Sequence, residues 1–240
     1  MLGGNIIKLF AFSYAFGSSY CYNDLKKYLD KNIEFIQFDY PGHGSRILES
    51  LLYNVSDIVD DTYKHIKSKI KPNERYALLG YSMGGLICYE LLKRLENEHN
   101  PNCVFIFASH HPDYRYKSDN YEQYDLKDVK SLLKEYGGTP ADALDSEELL
   151  EYMKPLVCAD MISLREYSDN NHDFKIKCPM IVAGGIDEIY TEENKVEWKK
   201  YAMNEYEFFE FEGGHFFLFN NHKNLKKAAE IINGKLAFYC

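Results

Sequence analysis

What the sequence has little of sets the first limits. Tryptophan occurs once and proline seven times in 240 residues. No C-x-x-C pair occurs, and the six cysteines, Cys21, Cys88, Cys103, Cys158, Cys178 and Cys240, are widely spaced. A disulfide framework is therefore not expected, and Cys88 and Cys103, set in apolar runs, read as reduced core residues. No stretch of 18 or more apolar residues appears, which excludes a membrane-spanning helix. The opening MLGGNIIKLFAF carries Lys8 inside its apolar run and has no small-residue cleavage site after it. It reads as a first strand rather than a secretory signal, and the expected compartment is cytoplasmic. Positive charge is in deficit: 28 Lys and Arg face 37 Asp and Glu, a net charge of −9. Such a balance argues against nucleic acid or an anionic membrane as the main partner. Internal repeats, low-complexity tracts and flexible linkers are missing as well. What is present is an apolar fraction of 45%, enough for a sizeable core, in a chain whose length suits one domain over residues 1–240.

Short β-rich runs alternate with helical patterns. Residues 6–12, 33–38, 76–81, 103–108, 180–183 and 206–211 read as strands, several of them continuously apolar as buried parallel strands are. Residues 20–29, 55–70, 84–97, 192–201 and 225–232 read as helices. This alternation predicts an α/β fold, a mostly parallel sheet with helices on both faces. The alternation breaks once. From about Leu126 to Tyr167 only helical patterns occur, so a helical insertion, bounded at 115–172, is expected to cover an active site. Its first helix should stop at Gly137–Gly138, its second should be capped by Asp145 or Ser146, and Pro155 should kink or split the second.

Gly80-Tyr81-Ser82-Met83-Gly84 is a G-x-S-x-G pentapeptide. The pattern alone is weak, but here an apolar strand runs into it and a helical pattern runs out. That is the context of a nucleophile elbow in the α/β-hydrolase fold, where a serine sits on a tight strand-to-helix turn with backbone N–H groups aimed at developing negative charge. The plain alternative is a packing turn. A serine hydroxyl needs a base, and the chain order of that fold is serine, acid, histidine. His215, after a strand and the Gly213–Gly214 turn, fits best; His222 lies in a polar stretch, and His43, His65, His99, His110, His111 and His172 read as structural or exposed. Asp187, after the strand-like MIVAGG, is the expected acid, with adjacent Glu188 an open alternative. The backbone N–H of Met83 should form one half of the oxyanion hole. The second donor should come from the loop after the first strand, with Ala15 the best single choice and Tyr14 next.

At these residues the chain resembles the type II thioesterases, the stand-alone thioesterases of polyketide and nonribosomal peptide synthesis. LFAFSYAFGSS is similar to their LFCFPYAGGS segment, PGHGSRILE to their PGRGxRxxE, GYSMGG to GHSMGG, YGGTP to GGTP, CPMIVAGGIDE to CPxxxxGGxDD, and GGHFFL matches directly. The likeness runs from about residue 8 to 218. The departures are Ser13 for Pro, Phe16 for Gly, His43 for Arg and Cys158 for the Arg of an R-A-D triplet.

The resemblance implies a thioesterase that releases acyl groups from the phosphopantetheine arm of an acyl- or peptidyl-carrier protein, by an acyl-serine route that uses no cofactor or metal, and that works as a monomer. The insertion would close over the acyl chain, with Leu132, Leu133, Leu149, Met153 and Met161 as expected lining. Competing readings are a general carboxylesterase or lipase-like hydrolase with the same triad, a thioesterase serving a fatty acid synthase, a domain inside a larger synthase, and a catalytically dead binding module. The start on Met directly before the first strand favours a free-standing protein over the synthase domain.

Overall fold

The computed structural model describes residues 6–168, 173–188 and 190–240. The last residues of the expected insertion, 169–172, and with them His172, lie outside the described residues. Six strands, β1 Ile7–Phe12, β2 Ile33–Phe38, β3 Tyr76–Tyr81, β4 Cys103–Phe107, β5 Met180–Gly185 and β6 Tyr206–Phe211, form one sheet in the order β2-β1-β3-β4-β5-β6. Every pairing is parallel. The helices are α1 Asn23–Lys26, α2 Val55–Lys69, α3 Met83–Arg94, α4 Leu126–Tyr136, α5 Glu147–Glu166, α6 Thr191–Tyr201 and α7 His222–Tyr239.

Side chains alternate across the sheet, so each strand feeds two cores. Phe10, Leu78, Val104, Ile106 and Val182 point to the side covered by α2, α3 and α6, where Trp198 is fully buried. Leu9, Ala77, Leu79, Phe105 and Ile181 point to the side covered by α7 and α1. Cover on both faces explains why β3, β4 and β5 are buried at every position. The edge strands β2 and β6 carry charged and half-buried residues instead, which blunts their open edges.

The chain runs outward from β1 to β2, then returns to place β3 on the other side of β1. Open α/β sheets bind ligands at such a reversal, beyond the carboxyl ends of the strands. The loop after β1 and the turn after β3 meet there. The insertion between β4 and β5 supplies α4 and α5. Asp125 and Asp128 cap α4 reciprocally, and α4 stops at Gly137, whose N–H returns to Leu133 O at 3.0 Å. Ser146, one of the two expected caps, accepts Leu149 N–H at 3.2 Å at the start of α5. Pro155 does not split α5, which runs unbroken from Glu147 to Glu166. The ring faces solvent, so water can serve the carbonyl that loses its N–H partner.

Candidate active site

Ser82 occupies the turn between β3 and α3 with φ 53° and ψ −118°. A non-glycine residue there costs on the order of 1–3 kcal/mol and persists only where the surroundings impose it. The surroundings here are two backbone crossings that only glycine permits. A Cβ on Gly80 would lie 2.1 Å from Gly84 O, and one on Gly84 would lie 2.2 Å from Phe12 O. Two further bonds pin the turn: Ser82 N–H to Phe107 O at 2.8 Å and Gly85 N–H to Ser82 O at 2.9 Å.

His215 follows β6 on the turn at Gly213–Gly214. Its Nε2 lies 3.0 Å from Ser82 Oγ, and its Nδ1 lies 2.7 Å from Glu188 Oε1. A carboxylate only accepts, so Nδ1 carries a proton and Nε2 is left to accept the serine O–H. The segment is anchored by Tyr81, whose hydroxyl donates to His215 O at 2.5 Å. The expected acid, Asp187, is not the one that meets the imidazole. Its backbone N–H bonds Gly213 O at 3.1 Å, which fixes the turn so that its own carboxylate is exposed. The next residue, Glu188, points back toward His215, and its longer side chain closes the distance.

Met83 is the first residue of α3, so its N–H has no partner within the helix. Ala15 is buried, borders the same cavity as Ser82, and its N–H has no backbone acceptor among the described residues. The loop that carries it is held by Tyr22 Oη–H to Phe12 O at 2.8 Å and Tyr40 Oη–H to Ser13 O at 3.1 Å. Phe16, at φ 51°, gives its N–H to Oδ2 of Asp160 in α5. The same oxygen faces His43 Nε2 at 3.0 Å, while His43 Nδ1 faces Pro41 O at 3.0 Å. Asp39, a buried carboxylate, gathers the N–H and hydroxyl groups of Ser19 and Ser45. Burial works to raise its pKa, but these bonds outweigh burial and hold it below the ordinary aspartate value.

A cavity of about 450 Å³ opens at Ser82 and His215. Leu132 and Met161 border it as expected, whereas Leu133, Leu149 and Met153 do not. Leu133 lies about 100° further round α4 and is buried in the core. Leu149 and Met153 precede Met161 by two or more turns of α5, about 18 Å along the axis for the former and about 12 Å for the latter. Tyrosines of the insertion take the places assigned to these residues. Above them, His110 is stacked on Tyr114, with ring centroids 3.6 Å apart. Burial and the proximity of His215 lower its pKa to about 3, so it is neutral.

A model of the thioesterase domain family matches residues 7–236. The chain belongs to that family. It is 28% identical over 218 residues to the gramicidin S biosynthesis protein GrsT of Aneurinibacillus migulanus, covering 90% of this chain and 84% of that one. Among solved structures it is similar to ClbQ from the colibactin NRPS/PKS pathway, with TM-score 0.87, 23% identity and 98% of each chain covered. It is also similar to the type II thioesterase BorB from the borrelidin biosynthetic cluster, with TM-score 0.84, 21% identity and coverage of 96% and 93%. The α/β-hydrolase architecture expected from the motifs is thus the architecture present, and the chain is an enzyme of the thioesterase family.

Sequence reasoning missed two features of this thioesterase site. One is Asp160, the aspartate of the R-A-D-like triplet Cys158-Ala159-Asp160, which was noted for its missing Arg but not read as reaching the loop after β1. The other is the tyrosine wall, visible as the run of tyrosines at positions 114, 116, 121, 124 and 136 but not read as lining.

Proposed function

We propose that this thioesterase hydrolyses acyl thioesters carried on the phosphopantetheine arm of an acyl- or peptidyl-carrier protein, clearing stalled or finished chains from an assembly line. The hydrogen-bonded series Ser82–His215–Glu188 at the mouth of the cavity is the observation that carries the reading. His215 Nε2 takes the proton of Ser82 as Oγ attacks the thioester carbonyl. Glu188 holds the Nδ1–H tautomer and stabilises the imidazolium that forms. The N–H groups of Met83 and Ala15 stabilise the oxyanion. The tetrahedral intermediate collapses, the C–S bond breaks, and the imidazolium protonates the departing thiolate. Water, deprotonated by His215, then attacks the acyl-serine; the C–Oγ bond breaks and the proton returns to Ser82. The relatives named for antibiotic and colibactin biosynthesis support the carrier-bound substrate.

The test compares acyl groups on a carrier protein with the same groups on free pantetheine and with p-nitrophenyl esters. Faster turnover of the carrier-bound forms, abolished in Ser82→Ala, is expected. Equal turnover of all three would move the function to a general esterase.

A further inference from the structure

The wall of the acyl cavity differs from the aliphatic lining the sequence led one to expect. We propose that the acyl group it accepts carries an aromatic ring with a hydrogen-bonding substituent, rather than a straight alkyl chain. The inference rests on the thioesterase reading above and adds the substrate class.

The first observation is the density of rings beside the reacting atoms. Tyr136 stands edge-on to the His215 imidazole, centroids 6.1 Å apart, and at the same distance from Phe16 of the loop after β1. Tyr114 lies edge-on to Tyr116 at 5.0 Å and to Tyr190 at 5.5 Å. These separations are those at which rings attract through their edges and faces. A ligand ring entering among them would gain the same contacts, whereas an alkyl chain would gain contact area alone. Leu132, Met161 and Leu164 supply the large aliphatic side chains of the wall, too few to line a path for a long chain.

The second observation concerns hydroxyl groups. Tyr121 donates to Lys117 O at 3.3 Å and Tyr124 to Asp119 Oδ2 at 3.2 Å. The hydroxyls of Tyr116 and Tyr136, both on the cavity wall, have no hydrogen-bond partner among the described residues. Burial pushes both phenols up from their ordinary range, so both remain protonated donors. A long alkyl group would strip water from these hydroxyls and leave them unmatched, which is unfavourable. A polar substituent on a ring-sized acyl group would satisfy them. The two features point to the same ligand.

The experiment measures kcat/KM for three S-acyl pantetheine thioesters: 4-hydroxyphenylacetyl, phenylacetyl and decanoyl. A methylene separates ring from carbonyl in the first two, so their intrinsic reactivities match. The expected order is 4-hydroxyphenylacetyl, then phenylacetyl, then decanoyl. The first two should be separated by about five- to tenfold, the range of a single neutral hydrogen bond. Tyr116→Phe and Tyr136→Phe should each be measured for that ratio, and at least one should bring it close to unity. Labelling of Ser82 by a fluorophosphonate reports whether each variant is folded; if one is not, the wild-type order still decides. Decanoyl as the best substrate, or a ratio unmoved by either variant, would overturn the inference and leave the thioesterase standing. Labelling of Ser82 with no thioester hydrolysed would overturn both.

Discussion

Phe16 and Asp160, 144 residues apart in sequence, are joined by a hydrogen bond from the backbone N–H of the first to the carboxylate of the second. The bond holds Phe16 in the left-handed region, at φ 51°. It also commits that N–H, whereas the N–H of the neighbouring Ala15 has no backbone acceptor among the described residues. Under the proposed mechanism Asp160 is therefore a positioning residue for the oxyanion loop. Asp160→Asn, which keeps the shape and removes the charge, should lower kcat by roughly ten- to a hundredfold, the equivalent of about 1.5–3 kcal/mol for a hydrogen bond to a charged group. KM for the same thioester should change much less. Steady-state kinetics separate the two, and an equal rise in KM with kcat retained would place Asp160 in substrate binding instead.

Of the two neighbours, Glu188 rather than Asp187 meets His215, and the proposed mechanism takes it as the acid. Glu188→Gln should cost about 10³–10⁴ in kcat, because an amide can stabilise the wrong imidazole tautomer and cannot balance the imidazolium. Asp187→Asn should cost less than about tenfold, since its carboxylate is exposed and makes no hydrogen bond among the described residues. The reverse ranking in a single-turnover assay would restore Asp187 to the role the sequence first suggested.

That pair shows where the sequence was legible and where it was not. Strands β2, β3 and β6 fall at the residues their β-rich patterns indicate, and the elbow and His215 follow from spacing, because backbone periodicity and glycine punctuation are local signals. The choice between Asp187 and Glu188 depends on which way one turn faces. That direction is set by a bond to Gly213, distant in the sequence. Asp160 is harder still. Its partners, Phe16 and His43, lie in two other loops, and nothing near it in the chain announces them. In α5 the expectation was a kink or a split at Pro155, and the split does not occur because the ring sits at a solvent-facing position.

His43 has an acceptor at each ring nitrogen, Pro41 O and Asp160 Oδ2. Burial works to lower its pKa, but the charge and hydrogen bond of Asp160, the bond to Pro41 and the charge of Asp39 outweigh it, and the net shift is upward. A group whose folded pKa is raised adds stability that is fully present below its unfolded value, about 6.5 for histidine, and lost as pH rises through the folded value. The stability difference between wild type and His43→Gln should therefore be largest below about pH 6.5 and shrink above it. Urea unfolding across that window measures the difference, and a gap that widens with pH would contradict the assignment.

The strain at Ser82 predicts a stability gain on its removal. Ser82→Gly and Ser82→Ala should both be inactive, but glycine adopts φ 53° without penalty and alanine does not. The glycine variant should melt higher than the alanine variant by roughly 2–4 °C for each kcal/mol of strain relieved in a chain of this size. Scanning calorimetry on the two variants decides it.

Helix α5 carries Asp160, which reaches the oxyanion loop, and, one and four residues on, Met161 and Leu164, which border the acyl cavity. Selectivity and rate are thus written on adjacent positions of one rigid rod. A substitution that turns or shifts α5 to admit a different acyl group also moves the carboxylate that sets the loop. Attempts to redesign this enzyme for new substrates should find that changes of preference made in α5 come with changes of speed, while changes made in α4 or the tyrosine segment before it leave speed more nearly independent.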